Sequence, residues 1–133
     1  MLGETDLQKL LQSIKPKLNE GEFVFCVAES LQTARTLNPL CMFQETEGTT
    51  VIIPKQQADD AALPYAMVCS WITLTVHSSL EAVGLTAAVS KALTEANISC
   101  NVVAAYYHDH IFIPVQDAKK AMDVLEHLSA KRG

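Results

Sequence analysis

Two short segments of this chain are nearly the same and stand at the same kind of junction. Ile53-Pro54-Lys55-Gln56-Gln57-Ala58 and Ile113-Pro114-Val115-Gln116-Asp117-Ala118 agree at four of six positions. Each follows an apolar run of strand character. Each precedes a segment with helical spacing, and proline is well suited to opening a helix because its fixed φ and missing N–H cost nothing there. A hairpin signal precedes each junction as well. Further back, Val27-Ala28-Glu29-Ser30-Leu31 echoes Val76-His77-Ser78-Ser79-Leu80. A chain with this pattern is expected to fold as two related halves, the alternative being that short strand–proline–helix junctions recur by chance.

The order within each half follows from periodicity. In the second half, Tyr65 to Val76 reads as a long strand. Leu85 to Ala96 is the clearest helix, with Leu85, Ala88, Val89, Ala92, Leu93 and Ala96 on one apolar stripe. Asn97 is suited to a left-handed stop. Ile98–Tyr107 and His110–Val115 read as strands around a turn at His108–Asp109. Asp117 then opens a helix to about Ala130. In the first half, Glu22–Ala28, Leu40–Glu45 and Thr49–Ile53 read as strands, the last two joined near Glu47–Gly48. Lys55–Ala62 is a short helix. Ser30–Pro39 reads as a polar connection with at most one helical turn. Each half is therefore β-α-β-β-α, and one more strand closes it into a four-stranded antiparallel sheet with helices on one face. The strand from Tyr65 to Val76 is long enough to close the first half and open the second. The fold class is α+β, ferredoxin-like (βαββαβ), with a degenerate N-terminal half at 1–65 and a C-terminal domain at 66–133. Thr5–Ile14 reads as a helix with a Thr5/Gln8 capping box, ended by Pro16, and is expected to cover the first half.

Composition excludes several classes. The 133 residues carry a formal net charge of −5, and lysine and arginine do not cluster. Nucleic acid is not the expected partner. No apolar run reaches the roughly 18 residues of a membrane span, and the N-terminus lacks a signal-peptide core, so a cytoplasmic location is expected. Cys26, Cys41, Cys69 and Cys100 show no close pairing and sit in apolar runs. They read as buried thiols, not zinc ligands.

The segment Trp71–Pro114 carries the candidate site. A loop of His77, Ser78 and Ser79 leads to Gly84–Leu85 at the helix start. Glycine lets the backbone approach a ligand, and the free amides and dipole of a helix start favour a carboxylate. Asn101, on the following strand, offers both a donor and an acceptor. Plain helix capping by Ser78, Ser79 and Gly84, and a strand-edge role for Asn101, are the structural alternatives. Glu45 and Glu47 read as a solvated turn, or as partners of a ligand ammonium. His108 and His110 would share a strand face, but a turn between them argues against a metal site. His77, Ser79 and Glu81 are too close in sequence for a catalytic triad. Tyr106 and Tyr107 are adjacent, so one is expected to face the helices and the other the open sheet.

Some segments are specific enough to suggest a family: Leu18–Phe25 (LNEGEFVF), Glu45–Thr50 (ETEGTT), Ile72–Thr86 (ITLTVHSSLEAVGLT) and Tyr106–His110 (YYHDH). With them the chain resembles ACT-domain proteins, in particular a small bacterial group with two ACT-like halves once classed as a domain of unknown function. It departs from the common ACT pattern in a lengthened loop before the helix, where His77, Ser78 and Ser79 stand. The resemblance implies a regulatory protein that binds a small molecule, an amino acid foremost, and the chemistry of the residues makes His77, Ser78, Ser79, Gly84, Leu85 and Asn101 its expected site. A homo-oligomer without cofactor, metal or catalytic activity is expected. A structural or oligomerisation module with a vestigial pocket is the alternative, and a small histidine-metal enzyme is a third reading.

Overall fold

A computed structural model of the protein describes residues 9, 11–75 and 84–130. The strands are β1 (Lys15–Leu18), β2 (Phe23–Ala28), β3 (Cys41–Gln44), β4 (Thr49–Pro54), β5 (Val68–Thr75), β6 (Asn101–Ala104) and β7 (Asp109–Pro114). The helices are α1 (Leu31–Thr36), α2 (Lys55–Asp60), α3 (Leu85–Glu95) and α4 (Ala118–Ala130), with a 3-10 turn at Val115–Asp117 before α4. The chain forms two compact units. One is Gly21–Cys69, and the other joins Met1–Glu20 to Ser70–Gly133.

In the unit Gly21–Cys69, β2 pairs antiparallel with β4, and β4 with β3. The first residues of β5 close the sheet, with Val68 opposite Val24 and Cys69 opposite Phe23. Alternation along β2 sends Val24, Cys26 and Ala28 to one face, where they pack with Ala34 of α1 and Ala58 of α2. Val27 lies on the other face. It stands opposite Thr50, which in turn stands opposite Phe43.

The crossover of this unit is more than a decayed turn. α1 is a six-residue helix, and Ser30 caps it by accepting a hydrogen bond from the Thr33 amide at 3.1 Å. The polar composition of the segment conceals the helix because only Ala34 is buried in it. Ser30→Ala removes the cap and should destabilise the protein by about 1 kcal/mol, read as a lower urea midpoint. An unchanged midpoint would show that α1 does not depend on its cap.

In the second unit, β5 takes part through its later residues in a sheet of the same kind. Its residues Ile72–Thr75 pair antiparallel with Leu18–Lys15 of β1, and β7 lies on its other side, followed by β6. The two units thus have the same strand order, closing strand, first, third, second. The strand that closes this second unit is β1, which the sequence reading missed. Pro16 suggests a helix stop, yet β1 is an outer strand of its unit, where a residue lacking an N–H is tolerated. Ile72, Leu74, Ile111 and Ile113 face α3 and α4 and form the core with Leu85, Val89, Leu93 and Leu125.

The expectation that the N-terminal segment covers the first half is corrected here. Ile14 is buried in the core of the second unit, and Leu11 packs against it. β1 holds the segment there through its pairing with β5. The capping box at Thr5 lies outside the described residues.

The repeated junctions have the same backbone. Pro54 has φ −57° and ψ 140°, and Pro114 has φ −56° and ψ 137°. Each ends a strand and leads directly into helical turns. In both units, then, helices on one face cover an antiparallel sheet, giving the α+β fold with two related halves.

Candidate functional site

The helix start is the best-defined part of the candidate site. Gly84 precedes α3 with φ 92° and ψ −15°, a left-handed conformation that side chains disfavour. Its carbonyl accepts the Ala88 amide at 2.9 Å, which closes the first helical turn. The amides of the first turn have no partner within the helix, as at any helix start. The Leu85 side chain is buried in the core, so only its backbone is available to a ligand. His77, Ser78 and Ser79 lie outside the described residues.

Asn101 is elsewhere. It begins β6, past the C-terminal end of an eleven-residue helix that is about 16 Å long. It stands opposite Phe112, and its Nδ2 donates to the Phe112 carbonyl at 3.5 Å. Because Val102 and Ile111 pair on the core side, Asn101 is on the sheet face away from the helices. The structure therefore does not bring Asn101 to Gly84.

The β6–β7 turn also differs from expectation. The Ala105 amide donates to the His108 carbonyl at 3.0 Å, so Tyr106 and Tyr107 form the tip. β7 already begins at Asp109. Both tyrosines are 77% exposed, with their rings edge to face at 4.9 Å. Neither faces the helices, because strand alternation stops where the turn begins. The rings of His108 and His110 are 6.2 Å apart. Among the described residues no group of three or more His, Cys, Asp or Glu could hold a metal ion.

At the other hairpin, the Glu45 amide donates to the Gly48 carbonyl at 2.9 Å, and the Glu45 carboxylate accepts the Thr50 hydroxyl. That is a self-contained turn. Cys26 and Cys69 are buried, whereas Cys41 and Cys100 are only partly so. Burial pushes the Cys100 thiol up to about 11, which keeps it protonated and unreactive.

The sequence reading passed over a cluster on the open face of the second unit. Trp71 and Thr73 alternate with the core residues Ile72 and Leu74, and His110 and Phe112 alternate with Ile111 and Ile113. That alternation places all four on one face and was readable. The register that brings Trp71 to His110 was not.

Comparison with known proteins agrees with this architecture. Residues 2–70 match one ACT domain and residues 67–127 match a second. The chain belongs to the ACT-domain family. Among solved structures it is similar to a Vibrio cholerae protein of unknown function described as a possible transport protein. The two are 44% identical over 94% of this chain and 97% of that one, with a TM-score of 0.88. The ligand-free regulatory subunit of aspartate kinase from Thermus thermophilus shares the fold at 8% identity. That match covers 86% of this chain and 95% of the other, with a TM-score of 0.60. Clostridium acetobutylicum aspartate kinase is similar over 88% of this chain but only 34% of its own, at 9% identity and a TM-score of 0.63. No curated protein matches the chain. ACT domains are regulatory modules, and none of the described helices is long and apolar enough to cross a membrane.

Proposed function

We propose that this protein is a regulatory module that binds a small molecule, an amino acid, at the start of α3, and has no catalytic activity of its own. The observation that carries the reading is Gly84. In a chain of two ACT domains, the helix start of the second is entered through a left-handed glycine. Glycine places no Cβ there, and the first amides of a helix, which lack partners within it, favour an incoming carboxylate. The loop residues His77, Ser78 and Ser79 complete the proposed site with Gly84 and the backbone of Leu85. Asn101 is left to the sheet. The protein is proposed to act in the cytoplasm through a separate partner, and to be a homo-oligomer.

A thermal-shift screen across the common amino acids tests this. A ligand at 100 times its Kd stabilises by about 2.7 kcal/mol, which raises the melting temperature by several degrees. No shift with any amino acid at millimolar concentration would refute it.

One observation favours the second reading, a module for self-association. Val27 is 60% exposed and Phe43 69% exposed, on one face of the unit Gly21–Cys69. Apolar side chains grouped in this way are suited to an interface. Light scattering that reports a strict monomer would remove this reading.

A further inference from the structure

We infer that Trp71 and His110 form a proton-sensitive latch on the open face of the second unit, in which protonation of His110 releases the indole and uncovers Phe112. The hydrogen bonds are its basis. The Trp71 Nε1 is 3.0 Å from His110 Nδ1. An indole N–H can only donate, so His110 Nδ1 must accept and cannot carry a proton. Thr73 Oγ1 lies 3.2 Å from the same nitrogen. Asn19 Nδ2 donates to that hydroxyl at 2.9 Å, which leaves the Thr73 proton free to point at His110. Two donors therefore converge on one lone pair.

A proton on Nδ1 reverses this arrangement. Thr73 can turn its hydroxyl and accept. Trp71 has no acceptor to offer, so its N–H is left against another N–H. The indole also lies over Phe112, with ring centroids 6.4 Å apart and planes 15° from parallel. Phe112 is only 2% exposed although it is on the face away from the helices. Trp71 is part of what covers it.

The surroundings keep His110 neutral. Burial lowers its pKa first, and neighbouring His108 adds to this, while Asp109 opposes it. Burial in turn raises the Asp109 carboxyl, against the pull of His110. From β1, the exposed Lys15 and Lys17 share the face through their pairing with Thr75 and Thr73. From β6, Asn101 and Val103 stand opposite Phe112 and His110 and carry no charge. With its folded pKa below the ordinary 6.5, His110 contributes stability that is complete above that value. The contribution is lost as pH falls toward the folded pKa, because the unfolded chain takes up the proton first. Asp109, whose carboxyl burial shifts upward from 3.8, works in the opposite sense.

Trp71 is the only tryptophan in the chain, so it reports on the latch without labelling. Intrinsic fluorescence of the full chain, followed from about pH 8 to about pH 5, should fall in one single-proton step with a midpoint below 6.5. The far-UV circular dichroism should stay constant through the step. The single indole N–H resonance in a proton–nitrogen spectrum should shift with the same midpoint as its hydrogen bond is lost. His110→Gln, which keeps an acceptor, should abolish the step. His108→Gln should retain it with the midpoint moved upward. Emission and indole shift that do not depend on pH would overturn the latch. A step that persists in His110→Gln, or one that coincides with loss of circular dichroism, would overturn it as well. The indole resonance of the unsubstituted protein decides the matter even if a variant fails to fold.

Discussion

Leu93→Ala is expected to cost about 2–5 kcal/mol of stability, the range for truncating a fully buried leucine. Leu93 is 0% exposed and sits on the core side of α3, against a sheet that presents Ile72, Leu74, Ile111 and Ile113. Its backbone also ends the helix. The Leu93 carbonyl accepts from Ala96 at 3.1 Å and from Ile98 at 2.9 Å, and Asn97 between them takes a left-handed turn with φ 61°. Those main-chain bonds survive the substitution, so the loss is one of packing. The neighbours belong to strands and to α4, which are held by their own hydrogen bonds and cannot collapse into the space. Urea denaturation followed by circular dichroism measures the effect. Lys91→Ala, on the exposed side of the same helix, should change stability by no more than about 0.5 kcal/mol. A loss under about 1 kcal/mol for Leu93→Ala would mean that α3 does not pack as described.

The stripe that contains Leu93 was legible because helix periodicity is local. Six apolar residues at helical spacing need no knowledge of what they pack against. The strand–proline–helix junctions were legible for the same reason, and Pro54 and Pro114 have nearly equal backbone angles. The features missed are those fixed by pairing between distant residues. β1 forms only because β5, more than fifty positions away, offers it a partner, as Asn19 shows in donating from its amide to the Trp71 carbonyl at 2.9 Å. The turn at Tyr106–Tyr107 was misplaced by two residues because register, not composition, decides where a hairpin reverses. By its donor and acceptor chemistry Asn101 suggests a ligand partner for Gly84, but that chemistry carries no information on distance. A helix of eleven residues intervenes and takes them to opposite ends. The Trp71–His110 bond spans 39 positions, and nothing local announces it.

Gly84→Val is the substitution that joins fold and function. At φ 92° a β-branched residue is strained, and holding it there costs on the order of 1–3 kcal/mol. The backbone relieves the strain by turning away from the left-handed region, which moves the first amides of α3. Two results are expected together. Stability falls by that amount in urea, and the shift produced by the best amino acid in the thermal screen disappears. Gly84→Ala should show a smaller stability loss, since its Cβ is unbranched, and a weakened shift. Lost stability alone cannot account for a lost shift, and Leu93→Ala supplies the comparison. It is expected to destabilise the same helix at least as strongly from the far side of Val89, away from the proposed site, and should keep its ligand-induced shift. If Gly84→Val is destabilised but still responds to the ligand, the binding site is not at the start of α3. If Gly84→Val loses no stability, the helix is not entered through a left-handed residue, and the reason for placing a carboxylate there goes with it.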